Sequence, residues 1–171
     1  MLIVKNLVII RGPMGVGKTA VSRNLQELLP NAVLLDGDWC WDAKPFVVND
    51  ETKVMVLDNI VHLLANFLRC TAYQNIIFCW VLQDRGALLN ITNALSLLKW
   101  VSFRVFEYTL ICDPDTLRRR LEPDIASGVR KSTDLERSLE YVLKYQDARG
   151  AIDVSDLNAE QTAAIIADAI Q

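Results

Sequence analysis

The eight residues Gly12-Pro13-Met14-Gly15-Val16-Gly17-Lys18-Thr19 read G-x-x-x-x-G-K-S/T, and no other stretch limits the possible folds so tightly. Glycines let successive backbone N–H groups turn inward around a phosphate, and a helix starting near Lys18 adds the positive end of its dipole. Lys18 can then reach the terminal phosphate oxygens, and the Thr19 hydroxyl can ligate Mg2+. An ordinary turn and helix cap would need only part of this pattern, which arises by chance in roughly one such sequence in a thousand. The surroundings also agree. Residues 2–10 are a near-continuous β-rich apolar run, as in a strand covered on both faces, and residues 18–29 keep helical spacing as far as Pro30. The expected nucleotide contacts are Gly12, Pro13, Met14, Gly15, Val16, Gly17, Lys18, Thr19 and Ala20, with ATP and Mg2+ as cofactors.

The same alternation continues down the chain. Residues 32–35 form a short apolar run ending in Asp36-Gly37-Asp38, and Asn49 or Asp50 can cap a helix to about Tyr73. Residues 75–82 read as a buried strand, 85–99 as a helix and 103–112 as a fourth strand. Asp113-Pro114 opens a further helix, and Thr133-x-x-Glu136 is a capping box for one reaching about Ala148. Residues 151–154 and 158–170 supply a last strand and helix. Strands alternating with helices predict a parallel sheet with helices on both faces, in one domain over residues 1–171. Ligands then bind beyond the carboxyl ends of the strands.

Composition narrows the class. Hydrophobic residues are 51% of the chain, enough for a core, and 18 Lys+Arg against 21 Asp+Glu leave a net charge of −3. That balance disfavours general nucleic-acid binding. The longest charge-free stretches, 70–83 and 86–98, are too short for a membrane span. Cys40, Cys70, Cys79 and Cys112 lack metal spacing and read as buried thiols. Lys5 interrupts the first apolar run and no small-residue cleavage site follows, so the expectation is a cytoplasmic protein.

Asp36-Gly37-Asp38 is either a solvated turn or a pair of carboxylates facing the phosphate loop. Two jobs would then be available, one holding Mg2+ through water and one taking a proton from an attacking hydroxyl. On residues 12–19, Leu35-Asp36-Gly37-Asp38 and Leu117-x-x-Arg120-Leu121, the chain resembles the small phosphate-loop kinases. These are shikimate kinase, gluconate kinase, adenylate-kinase-like nucleotide kinases and chloramphenicol phosphotransferase. The resemblance implies a three-layer α/β fold with a five-stranded parallel sheet and a short lid over ATP, Asp36 supporting the metal and Asp38 meeting the substrate. GTPases fit less well because N-K-x-D is absent. AAA-type ATPases also fit less well, because residues 76–82 stay apolar until Gln83-Asp84 where an Asp-Glu pair is usual.

Arg118, Arg119 and Arg120 open a turn-rich segment that ends at Arg130 and Lys131, and residues 118–134 read as the lid. A guanidinium brought in on closure stabilises the charge spread over a transferring phosphoryl group. Arg120 best matches the lid arginine, Arg130 is a second candidate, Arg118 a further nucleotide contact, and Arg137 is more weakly supported. The competing reading is a solvated helix face paired with Glu122, Asp124 and Asp134. Trp39, Trp41 and Phe46 either pack beneath the next helix or line an acceptor pocket. The basic, histidine-containing stretch of gluconate kinases is missing there. Trp80 and Arg85 are further pocket candidates, although Asp84 could pair with Arg85. His62 reads as structural, and the resemblance places Ser155 and Asp156 beside the adenine.

The sequence therefore predicts a kinase with Lys18, Asp38 and Arg120 as catalytic residues and Thr19 with Asp36 at the metal. Asp38, Trp39, Trp41, Arg85 and Arg130 are the candidate contacts to a small-molecule acceptor. The rival reading is a nucleotide-dependent binding or regulatory module. The expected partners are ATP and the acceptor, without nucleic acid or membrane, in a monomer or homodimer.

Overall fold

The computed structural model describes residues 4–145, 148 and 150–170. Strands β1 (Lys5–Arg11), β2 (Ala32–Asp36), β3 (Asn75–Trp80), β4 (Phe103–Ile111) and β5 (Ala151–Asp153) form one sheet in the order β2-β3-β1-β4-β5. Every neighbouring pair is parallel, so each connection must cross over a face of the sheet. Helices α1 (Lys18–Leu28), α2 (Asp50–Arg69), α3 (Arg85–Ser96), α4 (Pro114–Ala126) and α5 (Ser132–Tyr145) make those crossings, and α6 (Ala159–Ile170) closes the chain.

Successive residues of a strand point to opposite faces, and here both faces are buried. Leu7, Ile9, Ile76 and Phe78 meet Ile60 and Leu64 of α2 and Ile91 and Leu95 of α3. Val8, Ile10, Ile77 and Cys79 meet Val21 and Leu25 of α1, Leu117 of α4 and Ile166 of α6. The result is the expected three-layer α/β phosphate-loop fold.

Several boundaries differ from the sequence reading, each for a local reason. Leu2 and Ile3, expected in the first strand, lie outside the described residues. β3 stops at Trp80, which still pairs with Arg11, and the chain turns away at Leu82, which takes φ +40. Asn49 caps α2 as expected, accepting from Thr52 N at 2.8 Å while Thr52 Oγ1 accepts from Asn49 N at 3.0 Å. α2 ends at Arg69 rather than near Tyr73, since Cys70 turns extended and its carbonyl accepts from Lys5 Nζ. α5 starts at Ser132, ahead of Thr133, and the Asp134 carboxylate accepts from Lys131 N at 3.0 Å in place of the expected box. Ala148, its expected end, lies beyond two residues outside the described set. In α6, Asn158 and Gln161 cap each other reciprocally.

The segment expected as a lid is largely helical: α4 runs through Pro123 to Ala126, and residues 127–131 turn into α5. His62 is exposed near Asp58 rather than packed in the core. All four cysteines are free, but only Cys79 and Cys112 are buried; Cys40 and Cys70 are half-buried. No helix of the described residues is long and apolar enough to cross a membrane.

Candidate active site

The phosphate loop joins the end of β1 to α1. Gly17, at φ +107, is the N-cap of α1 and makes no side-chain capping bond, so the first helical N–H groups are left for an anion. Lys18 lies over the loop with its Nζ donating to Pro13 O at 2.8 Å. Burial pulls its ammonium down to about 8, partly opposed by Cys79, Asp38 and Asp36, while Arg130 pushes the same way as burial. Those charges are therefore within Coulombic reach of one nitrogen.

Asp36 ends β2 and is buried. Its Oδ1 accepts from Asp38 N at 3.1 Å, capping the one-turn 3-10 helix Gly37–Cys40, and its Oδ2 accepts from Thr19 Oγ1 at 2.7 Å. A hydroxyl and a carboxylate oxygen converging beside a phosphate loop are hard oxygen donors, the kind Mg2+ takes. The residues present thus fit the expected metal. No cluster of three His, Cys, Asp or Glu side chains occurs among the described residues, so this pair would need phosphate or water oxygens to complete a metal shell. Cys79, across the sheet register from Asp36, stays a neutral thiol, pushed up to about 12 by burial and by the Asp36 charge.

Asp38 is exposed to the cleft, and its Oδ1 accepts from Trp80 Nε1 at 3.0 Å. Gly37 makes this contact possible, because a Cβ there would sit 2.3 Å from Trp80 Cγ. A cleft of about 240 Å³ brings together Met14, Gly15, Gly17, Lys18, Thr19, Ala20, Asp36, Asp38, Arg120 and Arg130 from the expected set. Trp80, a further pocket candidate of the sequence, lines it too, together with Val81 and Asp124.

The lid arginines separate by environment. Arg120 Nη1 donates to Val16 O and Nη2 to Val154 O, both at 2.8 Å, tying α4 to the phosphate loop and to the turn after β5. It also borders a second cavity of about 270 Å³ lined by Val21, Leu157 and Asn158 among others. Ser155 accepts from Asp113 N and donates to Asp153, fixing that turn, and Asp156 is exposed. Arg130 Nε donates to Asp124 Oδ2 at 3.0 Å. Arg118 pairs with Asp115 on the exposed side of α4, and Arg119 donates to Thr116.

Trp39, Trp41 and Arg85 are not brought to the cleft. Trp39 lies against Arg23 of α1, Trp41 packs on Phe46 and the α2/α3 core, and Arg85 is an exposed first residue of α3. Asp84 caps α3 through Gly86 N rather than pairing with Arg85. Two supports escaped the sequence reading. Ser138 of α5 donates to Met14 O at 2.6 Å, and Tyr145 Oη donates to Val81 O at 2.5 Å. Their signal was a polar atom on the apolar stripe Leu135, Ser138, Val142 and Tyr145, where burial demands a partner.

A family profile described as an AAA domain matches residues 8–141. β3 ends at Trp80, and Val81-Leu82-Gln83-Asp84 beyond it hold no Asp-Glu pair of the kind usual in AAA-type ATPases. A search of curated proteins finds no match. Among solved structures, the Deinococcus radiodurans tunicamycin resistance protein is similar with a TM-score of 0.74 and 21% identity, over 97% of this chain and 95% of that one. Shikimate kinase from Acinetobacter baumannii in complex with shikimate gives 0.63 and 21%, over 98% and 93%. A gluconokinase from Sinorhizobium meliloti 1021 gives 0.62 and 14%, over 99% and 97%. These likenesses show a shared small phosphate-loop kinase fold.

Proposed function

The chain belongs to the AAA domain family, and from that premise we propose that it is an ATP- and Mg2+-dependent phosphotransferase moving the γ-phosphoryl group to a hydroxyl or phosphate of a small molecule. The observation that carries the reading is the spacing of donors around one cleft: Thr19 Oγ1 and Asp36 Oδ2 at 2.7 Å beside the phosphate loop, and Asp38 two residues on. Bound Mg2+ would neutralise charge on the phosphate oxygens.

The chain's own residues do the rest. Loop amides and Lys18 hold the β- and γ-phosphate oxygens. Asp38, held by Trp80, orients the acceptor and takes its proton. Arg130 faces the transferring group from the lid side, while Arg120 fixes α4 against the loop.

The test is ADP release by the metal-replete protein with and without a panel of hydroxyl compounds. A stimulating acceptor is expected, and Asp38→Asn should lower stimulated turnover by about 10²–10⁴-fold, the usual weight of a general base, with ATP affinity within a few-fold of wild type. Normal turnover in Asp38→Asn would remove the base assignment. ATP binding with no transfer to any acceptor would favour the regulatory module instead.

A further inference from the structure

The charge pairing inside the cleft says what kind of acceptor it takes. Among the described residues lining it, the cations are Lys18, Arg120 and Arg130, set against Asp36, Asp38 and Asp124. Each cation already has a partner on the protein, and the three are matched in number by the carboxylates. Lys18 belongs to the phosphate loop, Arg120 donates to the carbonyls of Val16 and Val154, and Arg130 is held by Asp124 at 3.0 Å. Other arginines of the neighbourhood lie outside: Arg85 and Arg137 are exposed on α3 and α5, and Arg118 pairs with Asp115. Around Asp38 the cleft offers a carboxylate, the Trp80 ring and Val81. A carboxylate or phosphate ester brought there meets like charge, and among the described lining residues the guanidinium on the lid side, Arg130, already shares its charge with Asp124.

Trp80 makes the same site favourable for a neutral ring. Its indole N–H is fixed on Asp38 Oδ1, and its ring sits against Gly37 where no side chain fits, so it forms a fixed apolar wall beside the remaining carboxylate oxygen. We propose that the acceptor is an uncharged, hydroxyl-bearing ring compound, nucleoside-like or sugar-like, lying on Trp80 with one hydroxyl toward Asp38. This rests on the phosphotransferase reading above. The hydroxyl oxygen bonds to the γ-phosphorus, the bond from that phosphorus to the β-phosphate bridging oxygen breaks to release ADP, and the hydroxyl proton passes to Asp38. On this reading shikimate and gluconate, both carboxylates, are expected to be poor acceptors.

Calorimetry on the wild-type chain saturated with Mg2+ and a non-hydrolysable ATP analogue tests this with matched pairs, uridine against uridine 5′-monophosphate and glucose against gluconate. In at least one pair the neutral member should bind about tenfold or more tightly than its anionic partner, and only neutral members should stimulate ADP release from ATP. Trp80→Ala should lose the neutral compound while keeping the ATP analogue within a few-fold. Asp124→Asn, which frees Arg130, should gain affinity for uridine 5′-monophosphate. Tighter binding of the anionic members in wild type, no neutral member bound, or an Asp124→Asn variant with unchanged preference would each overturn the proposal. Failure of the phosphotransferase reading shows differently, as no binding of the ATP analogue or as neutral binding without ADP release.

Discussion

Lys18 illustrates how one side chain reports on its setting. Burial pulls its ammonium from an ordinary 10.5 down to about 8, so it is charged below that pH and neutral above it. If Lys18 holds phosphate oxygens as proposed, that attraction is present at neutral pH and lost as pH rises through about 8. Calorimetric affinity for Mg·ATP should fall between about pH 7 and pH 9 in wild type and stay nearly flat in Lys18→Arg, whose guanidinium remains protonated. A flat wild-type profile would show that Lys18 does not carry the interaction. At this scale the sequence was readable where spacing dictates contact: Lys18, Thr19, Asp36 and Asp38 converge as their motifs imply. It was unreadable where direction matters. Trp39 and Trp41 follow Asp38 within three residues, yet the 3-10 turn aims one at Arg23 and the other at Phe46, and of the aromatic pocket candidates it is Trp80 that meets Asp38.

The elements hold the loop from behind. α5 reaches the phosphate loop through Ser138, whose buried hydroxyl donates to Met14 O, and α4 through the guanidinium of Arg120. Ser138→Ala strips a partner from a loop carbonyl, which costs about 1–3 kcal/mol when the group stays unsatisfied. Denaturant melts should show that loss, with ATP affinity weakened a few-fold; an unchanged midpoint would mean water replaces the bond. Strand and helix existence followed from periodicity, and the reciprocal caps at Asn49 and Asn158 were visible as residue types. Ends were less visible. Leu82 and Trp100 adopt positive φ, which no local pattern announces for such residues, and the Thr133 box lost to an earlier start stabilised by Asp134. The lid segment reads as loop by its Pro and Gly, whereas Pro123 only removes one helical bond and α4 continues past it.

Across the whole molecule, two buried cores clamp the sheet from both faces and leave the carboxyl rim of β1, β2 and β3 as the place where polar groups gather. That architecture was legible because a phosphate loop between a buried strand and an amphipathic helix admits few continuations, and alternating elements force a parallel sheet. Asp124 was legible as a partner for the arginine cluster but not which arginine it takes, and nothing in the sequence marks Arg120 as donating to backbone carbonyls. This rim is proposed to bind a nucleoside triphosphate through the phosphate loop. Titrating ATP with Mg2+ into wild type and Lys18→Ala in a calorimeter tests it most directly. Saturable heat at one site in wild type, weakened about tenfold or more in the variant, is the expected result; no heat in wild type, or equal affinity in both, would contradict it.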